Sequence, residues 1–141
     1  MAIAAPSAAA ASGEDDLGAY RLQGDCGLFA LQQPGFTLTA GPVRDLPVGT
    51  TVLIVGDGVA SIGRFTVSGG SADANVVSPT AAQFTLIAPL PAGARMAFRT
   101  SLSSTSRWKL DASVTVPDGY VGSGAKTTAT VASTLQGCVP A

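Results

Sequence analysis

The sequence predicts an all-β protein, an antiparallel β-sandwich or barrel that follows an extended N-terminal arm. Short segments with alternating polar and apolar residues recur along the chain and are separated by turn-forming Pro, Gly and Asp. One strand, turn, strand pattern occurs twice, at residues 36–54 and 84–99. We therefore expect a single β domain over residues 19–141 and an arm over residues 1–18.

The repeated pattern is visible in the sequence itself. Residues 36–54 are FTLTAGPVRDLPVGTTVLI, and residues 84–99 are FTLIAPLPAGARMAFR. Both begin with Phe-Thr-Leu-x-Ala, pass through Leu-Pro-x-Gly and end in a second alternating run. A duplicated hairpin unit explains this likeness if residues 41–44 are an insertion in the first copy, which a loop accommodates at small cost. Chance similarity between two short hairpins is the alternative.

The arm, MAIAAPSAAAASGEDDLG, shows no apolar face at the period of a strand or of a helix. We interpret it as a strap that lies across a neighbouring subunit, since about 18 extended residues reach up to ~60 Å. A short Ala-rich helix is the local alternative. The interface of the arm is assigned to five residues: Met1, Ile3, Pro6, Leu17 and Tyr20.

The first predicted strands are joined by turns with recognisable chemistry. Residues 27–32 and 36–40 flank Gln33-Pro34-Gly35, where Pro-Gly favours a turn. Residues 50–55 and 59–67 flank Gly56-Asp57-Gly58, and Asp-Gly between apolar runs is a strong hairpin signal. Two hairpins are therefore predicted in the first half of the β domain.

The second half continues in the same way. A short strand is expected at residues 75–77, and the second copy of the repeat supplies strands at residues 83–88 and 94–100. Residues 107–116 (RWKLDASVTV) form a further strand with one buried row, and residues 127–134 complete the sheet. The buried row is formed either by Trp108, Leu110, Ala112, Val114 and Val116 or by their neighbours.

Length and charge restrict the partners. A chain of 141 residues is long enough to bury one core. Only 12% of the residues are charged and the mean hydropathy is +0.37, which suits a surface partly covered by neighbours. Eight basic residues against nine acidic ones predict no nucleic-acid partner. No apolar run approaches the ~20 residues that a membrane span needs, so no membrane partner is expected.

No catalytic constellation is visible. The chain has no histidine, the commonest general base and metal ligand near neutral pH. Gly56-x-Gly58 with Gly63 has the wrong spacing for a dinucleotide site and is followed by a strand-like run rather than by the helix of a phosphate site. The serines lack a Gly-x-Ser-x-Gly elbow. Most aspartates lie in predicted turns, where they bond their own backbone. We expect a protein that is not an enzyme and holds no cofactor or metal.

Two further sets of residues leave alternatives open. Tyr20, Trp108 and Tyr120 would suit a sugar-stacking platform, although Trp108 in an alternating strand favours a core or subunit interface. Cys26 and Cys138 are the two cysteines. They are either small buried side chains or a disulfide, which would contribute about 4–5 kcal/mol in the loop-closure model.

The second half of the chain contains several short motifs in a fixed order. They are Thr85-Leu86, Leu90-Pro91-Ala92-Gly93, Arg95-Met96-Ala97-Phe98, the Ser/Thr-rich residues 101–106 and Gly119-Tyr120-Val121-Gly122-Ser123-Gly124. On these motifs, residues 84–135 resemble the small β modules of tailed-bacteriophage virion proteins, particularly head decoration (cement) proteins and fibre-associated domains. The resemblance implies a non-enzymatic protein that binds a capsid lattice in many copies. It carries over no functional residue.

Together these features predict a structural virion protein that decorates or cements a phage capsid. Its partners would be capsid or other virion proteins and further copies of itself, and its location the virion, assembled in the host cytoplasm. One alternative is a secreted or surface β-sandwich module that binds a ligand, for which a disulfide between Cys26 and Cys138 is expected. Another is a tail or neck component of a virion.

Overall fold

Two β-sheets pack face to face in the computed structural model, which describes residues 19–25, 34–58, 61–103, 107–120, 124–134 and 137–140. The arm over residues 1–18 lies outside these ranges. The strands within them are β1 (Tyr20–Asp25), β2 (Gly35–Thr39), β3 (Thr51–Asp57), β4 (Ser61–Ser68), β5 (Ala72–Ser78), β6 (Ala81–Leu86), β7 (Arg95–Ser103), β8 (Lys109–Thr115), β9 (Gly124–Lys126), β10 (Thr128–Thr134) and β11 (Gly137–Pro140).

The predicted all-β sandwich is confirmed by the order of these strands. Sheet I has the order β9-β1-β2-β7-β4, and sheet II has the order β11-β10-β8-β3-β6-β5. Neighbouring strands are antiparallel except β9 and β1, which are parallel. In the described ranges, we find no helix with the length and apolar character that crossing a membrane requires.

The core lies between the two sheets and follows the period-2 alternation of the strands. In β6 every second residue is buried, and in β8 the predicted row of Leu110, Ala112 and Val114 points inward, with Trp108 and Val116 partly buried at its ends. Aromatic rings join the two layers: Phe84 of sheet II lies 4.9 Å from Phe98 and 5.0 Å from Phe65 of sheet I, between ring centroids.

The two copies of the repeat do not form hairpins, because each copy crosses from one sheet to the other. The first copy runs from β2 in sheet I to β3 in sheet II, and the second runs from β6 in sheet II to β7 in sheet I. Consequently β2 pairs with β7, and β3 pairs with β6. The prediction that each copy forms a hairpin is therefore wrong. The two strands of each copy lie in different sheets, and each pairs with a strand of the other copy.

The crossing point of the copies is a pair of leucines. Leu46 and Leu90 face each other in an isolated antiparallel bridge, and each donates its backbone N–H to the carbonyl of the other at 2.9 Å. Both side chains are buried, at 0% and 1% exposed. These are the Leu residues of the two Leu-Pro-x-Gly motifs, so the motif marks the crossing rather than a hairpin end.

The predicted hairpin around Gly56-Asp57-Gly58 is also wrong. β3 is flanked by β6 and β8 in sheet II, whereas β4 pairs with β7 in sheet I. Gly58 is required for a different reason. It has a φ of +77°, and a Cβ there would lie 2.4 Å from the backbone oxygen of Arg107. Glycine is therefore needed here because the backbones of Gly58 and Arg107 approach closely, between β3 of sheet II and β4 of sheet I.

Two other predicted strands, at residues 27–32 and 75–77, can be compared with the structure. The predicted strand at residues 27–32 lies outside the described residues, and the strand that pairs with β2 on that side is β1. The short strand expected at residues 75–77 extends over Ala72–Ser78 and forms a hairpin with β6.

Candidate functional site

A groove of about 770 Å³ lies at one end of the sandwich and opens to solvent. One wall is the loop between β2 and β3, and the other is the turn that follows β8. The lining residues are Val43, Arg44, Asp45, Pro47, Val48, Pro117, Asp118, Gly119 and Tyr120. The two walls come from segments about seventy residues apart in the sequence and meet because β3 and β8 are neighbours in sheet II.

Several hydrogen bonds fix the β2–β3 wall to the rest of the domain. Leu46 anchors it in the core through the bridge to Leu90. The Asp45 carboxylate accepts a hydrogen bond of 2.9 Å from the backbone N–H of Ala92, and the Thr50 hydroxyl donates to the carbonyl of Pro47 at 2.9 Å. The loop is therefore fixed at Asp45, Leu46 and Pro47.

Turns of one kind shape both walls. In each, the N–H of the fourth residue donates to the carbonyl of a Pro, and a Gly at the third position has a positive φ, as a type II turn requires. The φ values are +96° at Gly49, +78° at Gly93 and +88° at Gly119. The turns are Pro47-Val48-Gly49-Thr50, Pro91-Ala92-Gly93-Ala94 and Pro117-Asp118-Gly119-Tyr120, with N–H to oxygen distances of 3.2, 2.9 and 3.2 Å.

The groove combines apolar surface with three charged residues, Arg44, Asp45 and Asp118, of which Asp45 accepts the hydrogen bond from the N–H of Ala92. Val43 is 79% exposed and Val48 is 53% exposed, which is unusual for valines held in fixed loops. Neither Arg44 nor Asp118 forms an ion pair with another residue in the described ranges. An exposed apolar surface beside charged side chains is typical of a binding site.

Tyr120 is supported from behind by Tyr20. Their rings meet edge to face, with centroids 5.8 Å apart and an interplanar angle of 76°. Tyr20 is 6% exposed and belongs to the core. The first residue of β1 thus sets the position of the aromatic side chain in the groove.

The stability of the protein should depend on Tyr20 at alkaline pH. Burial of its hydroxyl, and secondarily the neighbouring Tyr120, raises the pKa of Tyr20 above its usual 10.0. The folded state therefore holds this proton more tightly, so the stabilisation is fully present below pH 10.0 and is lost as the pH rises through the raised pKa.

We expect urea denaturation between ~pH 8 and ~pH 11 to show a larger loss of unfolding free energy in the wild type than in Tyr20→Phe. Ionisation elsewhere affects both proteins and cancels in the comparison. Equal losses in the two proteins would contradict the assignment.

The site residues predicted from the sequence lie largely apart from this groove. Met1, Ile3, Pro6 and Leu17 lie outside the described residues. Tyr20, assigned to the arm interface, lies instead in the core of the β domain. Of the proposed aromatic platform, Tyr20 and Tyr120 are in contact, but Trp108 precedes β8 at the opposite end of that strand.

Cys26 also lies outside the described residues, and Cys138 lies in β11, opposite Ser133 of β10. β1 ends one residue before Cys26 and packs near β11. The two alternatives for Cys26 and Cys138, buried thiols or a disulfide, both stay predictions. A mass measurement with and without reductant, after thiol blocking, distinguishes them.

The groove was not predicted from the sequence, although one signal pointed to it. Val43 and Arg44 belong to residues 41–44, the insertion that distinguishes the first copy of the repeat from the second. The place where the copies differ is therefore where the candidate site lies. In the described ranges, no three His, Cys, Asp or Glu side chains come together as a metal site.

Comparison with known proteins gives distant structural similarities, of which two are described. The sequence matches no family model and no curated protein. The collagen-binding domain from a Staphylococcus aureus adhesin is similar over 80% of this chain and 95% of that chain, with 9% identity and a TM-score of 0.49.

A structure from work on pH-induced modulation of Streptococcus parasanguinis adhesion by Fap1 fimbriae covers 89% of this chain and 88% of that chain, with 10% identity and a TM-score of 0.36. Similarities this distant carry no argument about ligand or activity. The assignment as a β-sandwich rests on the two sheets of the chain itself.

Proposed function

We propose that this chain is a non-catalytic, surface-displayed or secreted binding module whose groove holds an extended segment of a partner protein. The observation that carries the proposal is the exposure of Val43 and Val48 in a loop fixed by hydrogen bonds. Leaving apolar side chains in water is unfavourable by ~25 cal/mol per Å², so a partner that covers them gains that free energy.

An extended peptide suits the groove better than a small molecule does. Small-molecule sites usually enclose most of their ligand, whereas this groove is open along one side. Its apolar surface consists of Pro47 and Val48 on one wall and of Pro117 and the ring of Tyr120 on the other. Aromatic-lined grooves of this kind accept proline-rich extended segments, which are already ordered before they bind.

The charges in the groove would give the bound segment a direction. Arg44 lies on the β2–β3 wall and Asp118 on the opposite turn. A peptide with an acidic residue for Arg44 and a basic residue for Asp118 fits in one orientation, because the reverse places like charges together. Arg44 and Asp118 would therefore determine specificity, and the apolar surface of both walls would provide most of the affinity.

This proposal follows the ligand-binding alternative from the sequence. Capsid decoration stays a prediction, since its mechanism depends on the arm over residues 1–18, outside the described residues. The absence of enzymatic activity and of a cofactor likewise stays a prediction.

Panning a phage-displayed library of random peptides on the immobilised full-length protein tests the proposal. Peptides that are enriched should then be synthesised and their affinities measured by fluorescence anisotropy. We expect Tyr120→Ala and Val48→Asp each to weaken binding about tenfold or more, which corresponds to ~1.4 kcal/mol.

Val77→Asp is the matched control. Val77 is 57% exposed, close to the 53% of Val48, but it lies on β5, outside the groove. It should leave the affinity unchanged. Failure to enrich any peptide, or an equal loss in Val77→Asp, would exclude the groove as a peptide site.

A further inference from the structure

Four strands lie at the edges of the two sheets, and three of them have features that discourage pairing with another chain. Proteins protect edge strands by short length, by charged side chains (Lys above all), by Pro or by a bulge. β9 has three residues and includes Lys126, and β11 has four residues and ends at Pro140. β4 is irregular between Ile62 and Phe65 and includes Arg64. The fourth edge strand, β5 of sheet II, differs from them.

β5 has none of these protective features along residues 72–76. Its sequence there is Ala-Asp-Ala-Asn-Val, without Pro or a basic residue, and its one charge is that of Asp73. A bulge follows between Val76 and Ser78 and ends the regular part of the strand. Among the described residues, β5 pairs with β6 on one side and with no strand on the other. Residues 72–76 therefore offer an open edge to a further strand.

The backbone groups on this open edge are those of Ala72, Ala74 and Val76. Leu86 lies opposite Ala72 in β6, but its N–H and its carbonyl both bond residues 49–50, on the side of β3, at 2.9 and 3.0 Å. Ala72 is therefore not bonded to β6. Bonded and non-bonded pairs alternate along antiparallel strands, so the N–H and carbonyl groups of Ala74 and Val76 also point to the open edge.

The side chains on the outer face of β5 are polar. Asp73 lies opposite Thr85, and Asn75 lies opposite Gln83. The buried Phe84 between these two partners points into the core, so Asp73 and Asn75 point away from it, and both are exposed. A carboxylate accepts hydrogen bonds and an amide NH2 donates them. This pair of side chains is therefore complementary to a copy of itself that runs in the opposite direction.

We propose that β5 pairs with β5 of a second copy of this chain, antiparallel and with Ala74 at the two-fold axis. In this register Ala74 faces Ala74, and Ala72 faces Val76 of the second copy, with about six main-chain hydrogen bonds, two for each bonded pair. Asp73 faces Asn75 of the second copy in a non-bonded pair, in which Cα atoms are ~4.5 Å apart and side chains are closest. The symmetry repeats this contact, so each carboxylate meets an amide of the other molecule.

The same two side chains select this register over its neighbours. A two-fold axis at Asp73 places two carboxylates directly opposite each other, which is destabilising. An axis at Asn75 pairs Asp73 with Val77, which lies in the bulge and offers the carboxylate no side-chain donor. The register about Ala74 pairs both carboxylates and uses every open backbone group of residues 72–76.

Sedimentation equilibrium of the full-length protein, from about 10 µM to about 1 mM, measures this association. Accessible thiols are alkylated beforehand under native conditions, so that no disulfide forms between molecules. One strand from each molecule makes a small interface, and we expect a weak dimer with a Kd of the order of 100 µM. No residue that lines the groove belongs to β5, so the result is independent of the proposed function.

Two variants should weaken the dimer, and circular dichroism checks that each is folded. Ala74→Pro removes the N–H at the two-fold axis, which β6 does not use, and should raise the Kd about tenfold or more. Asn75→Asp places a second carboxylate opposite each Asp73 and should raise the Kd by about the same factor.

A rescue variant and a control identify the register. In the double variant Asp73→Asn with Asn75→Asp, the carboxylate and the amide exchange places, and the Kd should return to within about threefold of the wild type. With an axis at Asn75 the same double variant would place two carboxylates opposite each other. Gln23→Glu makes the same change from amide to carboxylate at an exposed residue of β1, in sheet I, and should leave the Kd unchanged.

Three outcomes would overturn the proposal. The first is a wild type that stays monomeric up to the highest concentration. The second is a dimer whose Kd is the same in Ala74→Pro, since the interface would then lie elsewhere. The third is a double variant that associates as weakly as Asn75→Asp does, since Asp73 and Asn75 would then not face each other across the dimer.

Discussion

Replacing Phe84 with Ala is expected to lower the free energy of unfolding by about 3–5 kcal/mol. Phe84 is 1% exposed and lies in β6 of sheet II, where its ring contacts Phe98 and Phe65 of sheet I. Truncation removes the apolar area buried between the layers and leaves a cavity between the two packed sheets. It also removes two aromatic pairs, each contributing ~0.5–1.5 kcal/mol beyond burial.

Urea denaturation at neutral pH measures this loss as a lower midpoint with an unchanged slope. Phe84→Leu is the companion variant, because it keeps most of the volume and should lose only about 1 kcal/mol. It also provides a measurable protein if Phe84→Ala fails to fold. If Ala costs no more than Leu, Phe84 does not join the two layers in the way described.

The strands of this fold could be predicted from sequence because their signal is local. Alternation places Leu110, Ala112 and Val114 on one face of β8 whatever lies next to it, and burial then follows. The same alternation places Met96 and Phe98 inside and Arg95 and Arg99 outside on β7.

The pairing of the strands could not be predicted, because turn signals do not specify the sheet. Asp57-Gly58 separates two strands as the turn of a hairpin would, yet the positions beside β3 are taken by β6 and β8 from later in the sequence. The repeat had the same ambiguity. Leu-Pro-x-Gly indicates a turn but does not say whether the turn closes a hairpin or connects two sheets. The pairing of Leu46 with Leu90, 44 residues later, decides that, and it is not a local property.

The groove could not be predicted from local sequence signals, for a related reason. Its walls come from two distant segments, and neither Val43 nor Pro117 is unusual in its own context. What the sequence does contain is the difference between the copies at residues 41–44. Where two halves of a duplicated unit share a scaffold, the residues present in one copy alone are free to form a site.

The last prediction concerns the crossing of the two copies. We expect Leu46→Ala and Leu90→Ala each to lower the unfolding free energy by about 2–5 kcal/mol, since both side chains are almost fully buried. The double variant should lose less than the sum, by ~0.5 kcal/mol or more. The two leucines face each other across the bridge, so the second truncation enlarges a cavity that already exists.

Leu110→Ala is the control for this pair. Leu110 is 0% exposed, but it lies near the start of β8, ~20 Å along that strand from the turn that lines the groove. Its loss should add to that of Leu46→Ala within about 0.5 kcal/mol. Complete additivity between Leu46 and Leu90 would contradict a shared crossing point.

The same variants distinguish a loss of stability from a loss of function. Leu46 anchors the groove wall that carries Val43, Arg44 and Val48, whereas Leu110 supports the opposite end of the sandwich. At a temperature where both variants are fully folded, Leu46→Ala should weaken binding of a selected peptide severalfold and Leu110→Ala should not. Equal affinities of Leu46→Ala and Leu110→Ala would show that the β2–β3 wall keeps its shape without the Leu46 side chain. The type II turns would then determine the geometry of the groove.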